Sequence, residues 1–401
     1  MSAPFRTLVL SDLHAIQDLQ RARTSASMNY ALSAGPRGML ALTRDAVRRQ
    51  FPDGIGLVLC AGDMTDKADG GPLTQVWDDL NWLANELSAP LVATSGNHDY
   101  DSRAAVDVLP FKSLQSLEPP FPFGTDADRD RYFSRQHAVF HNSDVVVVSA
   151  NSAAHHGYSK DGEPEHNFGH YDDALAESIK KSLLEIGDLP PVRVFLTHHH
   201  LNQLPDFDTE ERSSSIGHEN VIRCLGEYGD WLIVHGHKHR GWIQYASGSG
   251  DSPPLFSSSS YSADFGGGPF AEKVRHQFHV IEFASSQADG LTGAHGTVTT
   301  WTHSPIGWEI SGADEDLPGN TGFGWKTSIS GLAARLREAT TSRLVLTRDD
   351  ISALEPRLRF LTFDDLRRLV RVLASGTPKV LAVLSSDGAL AELSAARETQ
   401  A

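Results

Sequence analysis

Residues 90–99 read PLVATSGNHD. A short apolar run is followed by a glycine, an amide, an imidazole and a carboxylate. The apolar part suits a strand, and the polar part stands where that strand should end. A single tetrapeptide of this kind is commonly a turn. Its meaning depends on the residues that stand behind the other apolar runs of the chain.

Those runs are TLVL (7–10), GLVL (56–59), VVVVSA (145–150), VRVFLT (192–197) and WLIVH (231–235). Each is nearly continuous in apolar residues, the pattern of a strand buried on both faces. Between many of them lie stretches with helical spacing: LTRDAVRRQF (42–51), LTQVWDDLNWLANEL (73–87), DDALAESIKKSLLEIG (172–187) and HENVIRCLGEYG (218–229). Alternating strands and helices predict a layered α/β fold. From residue 241 the style changes. GWIQYA (241–246), PLFSSSSYS (254–262), HQFHVIEFA (276–284) and GTVTTWTH (296–303) follow one another with Gly, Ser and Pro turns and no helix between them. They predict a second sheet, or the antiparallel part of a sandwich.

Residues 311–328, rich in Gly, Asp and Ser, read as a linker. From Ile329 the chain is rich in Leu, Ala and Arg. Thr347 with Asp350, and Thr362 with Asp365, resemble capping boxes. Leu366, Leu369, Val370 and Leu373 then follow helical spacing. Residues 329–401 hold eleven basic and nine acidic residues, in a chain whose net charge is −16. This contrast predicts a C-terminal helical module behind a main domain of residues 1–310.

An acidic chain of 401 residues does not draw nucleic acid or anionic lipid by its overall field. An anionic substrate needs a locally positive site, which bound cations can supply. The only cysteines, Cys60 and Cys224, build neither a disulfide framework nor a thiolate zinc site. MSAPFRTLVLSD at the N-terminus lacks the pattern of a signal peptide. No apolar run approaches the roughly 20 residues of a membrane helix. A cytoplasmic protein with no membrane partner is expected.

The chemistry lies at the strand ends. After TLVL come Asp12 and His14, and after GLVLCA come Asp63 and Asp66. After LVATS come Asn97, His98 and Asp99. After VRVFLT comes HHH from His198, and after WLIV come His237 and His239. In open α/β sheets, ligands bind beyond the carboxyl ends of the strands. Residues i and i+2 of an extended segment point the same way, so Asp12 and His14 can share one ion. Carboxylate, imidazole and amide without thiolate suit Mn, Fe or Zn. Two such cations, roughly 3.5–4 Å apart, can clamp a phosphate. Asp63, with two oxygens, is the natural bridge. Glycines 62, 96 and 236 let the backbone turn and come close.

The ordered set D-x-H, G-D, G-N-H-[DE], H and G-H-x-H resembles the calcineurin-like metallophosphoesterases. The resemblance implies a four-layer αββα sandwich of two mixed sheets, with a dimetal site at strand ends. It implies one divalent transition metal on Asp12, His14, Asp63 and His239, and a second on Asp63, Asn97, His198 and His237. His198 is taken rather than His199 because it comes first after the strand. The resemblance also implies phosphoester hydrolysis by a hydroxide bridging the metals. His98 would stabilise charge on the phosphate and protonate the leaving oxygen, with Asp66, or alternatively Asp99, fixing its tautomer. Lys67 and Ala68 stand where the family's protein phosphatases have Arg-Gly, which disfavours a phosphoprotein substrate. A small phosphodiester such as a cyclic nucleotide is expected. The alternatives are a nuclease of the same family, which the acidic charge disfavours, and a non-catalytic protein-binding scaffold. The C-terminal module could take a protein partner. His155, His156, His166 and His170 read as loop residues. His199 and His200 divide evenly between substrate contact and packing.

Overall fold

The computed structural model describes residues 4–16, 37–101, 109–157, 159–160, 163–164, 168–202, 214–247, 252–263, 274–284 and 290–396. The predicted runs form β1 (Phe5–Leu10), β2 (Leu57–Cys60), β3 (Leu91–Ala93), β5 (Val145–Ala150), β8 (Val192–Leu196) and β9 (Leu232–His235), with β4 (His137–His141) beside β5. A short pair, β6 (Ser159–Lys160) and β7 (Glu163–Pro164), lies between β5 and β8. The later strands are β10 (Trp242–Tyr245), β11 (Pro254–Ser257), β12 (Gln277–Phe283), β13 (Gly296–Ser304), β14 (Gly307–Ile310) and β15 (Asn320–Phe323).

Two mixed sheets result. The first runs β14-β13-β12-β1-β2-β3, with β15 also on β13, and the second runs β10-β11-β9-β8-β5-β4. β1, β2 and β3 are parallel, as are β5, β8, β9 and β11. The strands after residue 241 do not form a sheet of their own. β10 and β11 extend the second sheet, while β12 to β15 extend the first. A parallel sheet leaves open edges, and antiparallel additions continue the first sheet beyond β1 and the second at both ends.

Period-2 alternation explains the continuous apolar runs. Val9, Leu57, Leu59 and Val92 of the first sheet pack against Val145, Val147, Val194 and Val234 of the second. Their neighbours Leu8, Leu10, Val58 and Cys60 face outward onto helices Gly38–Gln50 and Gly70–Glu86 through Val47, Leu73, Trp77 and Leu80. Val146, Val148, Phe195 and Ile233 do the same against helices Leu175–Ile186 and His218–Gly226. Helix, sheet, sheet and helix make the four expected layers, and both faces of β2, β3, β5 and β9 are dry.

The C-terminal region carries the expected helices, Ile329–Ser342, Arg348–Leu354 and Phe363–Ser375. Thr347 and Asp350 form a complete capping box, and Thr362 accepts from the Asp365 backbone. The region also holds a three-stranded antiparallel sheet that the sequence reading did not anticipate. Its strands are β16 (Val345–Thr347), β17 (Val380–Leu384) and β18 (Leu390–Ala395), in the order β16-β18-β17. Leu332, Leu336, Leu346, Phe363, Leu369, Leu373 and Leu393 share one core there. The stretch expected to be a linker is ordered in place. It contributes β15, whose Gly322 N–H donates to Leu361 at 3.0 Å, while Asp316 pairs with Arg240 at 2.7 Å. No helix among the described residues is long and apolar enough to cross a membrane.

Candidate metal centre

Because β1, β2 and β3 are parallel, as are β8 and β9, their carboxyl ends emerge on one edge of each sheet. The loops beyond them are stitched together. Asp12 N–H donates to Gly62 at 2.9 Å, His14 N–H to Asp63 at 3.0 Å and Gly236 N–H to His198 at 3.1 Å. This brings all the predicted residues to one place, though not by the expected backbone. Asp12 (φ 53), His14 (φ 48), Asp63 (φ 52), His237 (φ 78) and His239 (φ 57) are left-handed. The extended i, i+2 argument is therefore corrected. A left-handed residue turns the chain sharply, and such conformations carry a cost of order 1–3 kcal/mol. Gly96 opens the turn, its carbonyl accepting from Asp99 N–H at 3.3 Å, but its lack of a side chain serves a second purpose. A Cβ there would collide with the Asp63 carboxylate, so that second role is close approach.

Two donor clusters meet at Asp63. In the first, Asp12, His14 and His239 present ligand atoms within 4.8 Å of one another. His14 Nε2 lies 3.8 Å from Asp12 and 3.5 Å from Asp63 Oδ2, and His239 Nε2 lies 3.7 Å from Asp12. In the second, His198 Nε2 lies 3.3 Å from the same Asp63 Oδ2 and 3.2 Å from Asn97 Oδ1, and His237 Nδ1 is 3.1 Å from Asn97 Oδ1. His198 is turned toward Asp63 by its other nitrogen, which meets the Ala61 carbonyl at 2.7 Å. His199 Nδ1 meets Ser152 Oγ at 2.8 Å, while its ring stays 4.5 Å from that of His237, and His198, His199 and His237 also present ligand atoms within 4.8 Å of one another.

Residues 5–241 match the family of calcineurin-like phosphoesterases. The chain belongs to that family. The family is binuclear and metal-dependent, and the two clusters are candidate sites for its metals. A search of curated proteins gives no significant match. Among solved structures, a dimetal phosphatase from Danio rerio is similar at 15% identity and TM-score 0.46, covering 75% of this chain and 96% of that one. A purple acid phosphatase from yellow lupin seeds gives 13% and 0.45, covering 77% of this chain and 53% of its own. Vps29 from Entamoeba histolytica, solved with zinc, gives 12% and 0.31, covering 77% and 97%.

The chain's own donors fit the metals that this family carries. Asp12 and Asp63 are 0% and 2% exposed, and buried carboxylates need compensating charge. Burial would raise Asp63, yet His198, His98 and His14 hold it well below the carboxylate range. Burial opposes a charge on His14, but Asp12 and Asp66 push it up to about 10, and Asp63 likewise pushes His198 up to about 9. Burial presses His239 down to about 3 and His237 well below the usual value. The pocket thus demands positive charge and keeps neutral imidazoles beside it. Both nitrogens of His14 are buried without a hydrogen-bond partner. Contacts of 3.3–3.8 Å are longer than the usual N–H···O hydrogen bond of about 2.7–3.2 Å. They suit ligands sharing a cation, since two donors at metal distance in tetrahedral array stand roughly 3.4 Å apart.

His98 stands at the rim. Its side chain is 19% exposed, its N–H donates to Asp63 Oδ1 at 2.7 Å, and Nδ1 meets Asp66 Oδ1 at 2.7 Å. Asp99 does not touch His98 in this way. It accepts from Thr65 N–H at 3.0 Å and Gly96 N–H at 2.9 Å, and so binds two metal-site loops to each other. Asp66 also lies 3.9 Å from His14 Nδ1, near enough to act on it by charge but not by a hydrogen bond.

Some residues of the site escape a reading of the sequence. SSSSYS (257–262) suggests a strand whose serines could meet phosphate, yet only Ser257 of it is in β11. Ser260 and Ser262 instead donate to the carbonyls of Asp12 (2.8 Å) and Leu13 (2.6 Å), and Tyr261 N–H donates to Ser11. They hold the β1 loop in its left-handed course. A serine run after a strand is the available signal, but it names no partner. His155 and His170 lie apart from the centre, and His166 falls outside the described residues. His156 and His199 pack ring to ring at 5.0 Å.

Proposed function

We propose that this chain hydrolyses a small phosphodiester, such as a cyclic nucleotide, with two divalent transition-metal ions (Mn, Fe or Zn), in the cytoplasm. Asp12, His14, Asp63 and His239 would hold one ion, and Asp63, Asn97, His198 and His237 the other. The observation that carries the reading is the place of Asp63 Oδ2, 3.5 Å from His14 and 3.3 Å from His198. One oxygen faces both clusters, which lets Asp63 bridge them.

When bound, two such cations neutralise phosphate charge and make water acidic enough to attack at neutral pH. The remaining work belongs to the side chains. Asp66 accepts from His98 Nδ1–H, which leaves Nε2 as the atom that holds a proton for the departing oxygen. The neutral Asn97 amide adds no negative charge to its cluster. Lys67 and Ala68 replace the Arg-Gly pair of the family's protein phosphatases, which favours a small substrate. Net charge −16 disfavours nucleic acid, whose binding is dominated by phosphate contacts with cations. The region 329–401 is proposed as a separate module that could take a protein partner.

The test is a panel of cyclic nucleotides, single-stranded and duplex nucleic acid, phosphodiester lipids and phosphomonoesters, each with Mn, Fe and Zn. Cyclic nucleotides should give the highest kcat/KM. A higher value for nucleic acid or monoesters overturns the substrate class, and no turnover with any metal overturns the enzyme.

A further inference from the structure

We propose that His199 binds substrate: its Nε2–H donates to a phosphate oxygen held at the cluster of Asn97, His198 and His237. This contact rests on the strand-end centre being a phosphate site, and it adds a residue outside both sets of metal ligands. The His199 side chain is fully buried, and Nε2 has no hydrogen-bond partner among the described residues. Its ring lies 4.5 Å from that of His237 and 5.0 Å from that of His198. All three residues present ligand atoms within 4.8 Å of one another. His237 is partly exposed, so the cluster is open to a substrate from that side.

The opposite edge of the ring decides whether Nε2 is a donor or a lone pair. The His199 backbone N–H donates to Ser152 Oγ at 3.2 Å, and Nδ1 meets the same oxygen at 2.8 Å. Ser152 is buried, and its hydroxyl has no other partner among the described residues. If Nδ1–H donated to Oγ, the hydroxyl proton and the Nε2 lone pair would both be buried and unpaired. If the hydroxyl donates to Nδ1, only Nε2–H is left over. Unpaired buried polar groups are costly, so the second arrangement wins. It leaves one donor without an acceptor, beside the second cluster. A phosphate oxygen supplies that acceptor in a charge-assisted hydrogen bond, among the stronger kinds. A metal ion on Nε2 would need the lone pair instead, and would leave the serine proton unpaired.

The ring is held in place from its other sides. His156 Nε2 donates to Phe168 O at 2.8 Å, and the His156 ring packs against His199 at 5.0 Å with 64° between planes. Gly169 stands so close that a Cβ there would lie 2.6 Å from His199 Cβ. His170 N–H donates to Ser152 O at 2.9 Å, which ties the loop after β5 to the Gly169 segment. The donor is therefore aimed before a substrate arrives, and little ordering is left to be done on binding.

The experiment uses the full-length protein loaded with zinc, with inorganic phosphate as the probe and calorimetry as the measurement. His199→Phe, which keeps a ring and removes the donor, should retain two zinc ions per chain. Its phosphate Kd should rise about ten- to a hundredfold, the scale of losing one hydrogen bond to a charged group. His199→Gln, whose amide restores a donor, should recover most of that affinity. Nitrogen NMR of the natural chain, with the His199 signals identified by their loss in His199→Gln, should show the ring proton on Nε2 and a shift of its signal on adding phosphate. Unchanged phosphate affinity in His199→Phe overturns the contact. Loss of one zinc ion from both variants overturns it too, because it makes the imidazole a metal ligand. An Nε2 that carries no proton overturns it even if His199→Phe fails to fold. No step of the test depends on turnover, so an ester panel that fails while phosphate binds in this way would sink the reaction and leave this contact standing.

Discussion

The strand-end centre and the C-terminal region use carboxylates in opposite ways. In the first, Asp12 and Asp63 are buried, left-handed and crowded by imidazoles. In the second, Asp350 and Asp365 sit at helix starts in contact with backbone N–H groups or capping threonines, and arginines stand nearby. Among the described residues, every non-glycine residue of positive φ lies between Asp12 and His239, and none lies in the C-terminal region. The difference separates two purposes. Local rules hold where a segment need only fold. They are broken where side chains must converge on charge, and tertiary contacts such as Ser260 to Asp12 hold the strained loops in place.

The comparison can be broken most sharply at Asp63. Asp63→Ala should reduce bound metal from two ions to none and turnover by at least about a thousandfold, the scale of losing a principal electrostatic element. Metal analysis showing two retained ions would sink the bridge. His98→Asn should lower turnover by about 10²–10⁴ for esters with poor leaving groups. It should change nitrophenyl esters little, and equal losses would rule out the acid role. Leu369→Ala, in the C-terminal core, should cost about 2–5 kcal/mol of stability while metal content stays whole. Coupled loss of metal would show that the two regions are one cooperative unit. Chelation of the natural chain should lower Tm, because ligands of the folded state contribute about 4 kcal/mol at a free concentration roughly 1,000 times Kd. The smallest effect belongs to the cap. Thr347→Ala should cost about 1 kcal/mol, seen as a small Tm shift at full activity.

The centre was legible because the signal repeats. Asp12, Asp63, Asn97, His198 and His237 each follow an apolar run that is buried on both faces. No packing rule would put ligand-capable groups at five strand ends in order. Backbone conformation was not legible, since the loop of Asp12 and His14, with its positive φ, is held by contacts from Gly62, Asp63 and residues 260–262, all distant in the chain. The sorting of β10 to β15 between two sheets was hidden for a related reason. Each strand has the same local character, and only the free edges of β1 and β9 decide where it pairs. The C-terminal sheet was missed because LVLT, VLAVL and LAELSA are built from residues of mixed preference. β17 alternates between exposed and partly covered positions, and pairing with β18 outweighs the leucine and alanine content.

β1 lies between β2 and β12, with Phe5 opposite Phe283 and Val9 opposite His279. β1 thus has one of its two neighbours encoded near the far end of the sandwich. Until that neighbour emerges, β1 exposes an unpaired edge of apolar residues, and closing so long a loop is slow. A nascent chain that lacks β12 should therefore be prone to misassociation, and the Asp12 loop gains its full set of contacts only once residues 260–262 and β12 have emerged.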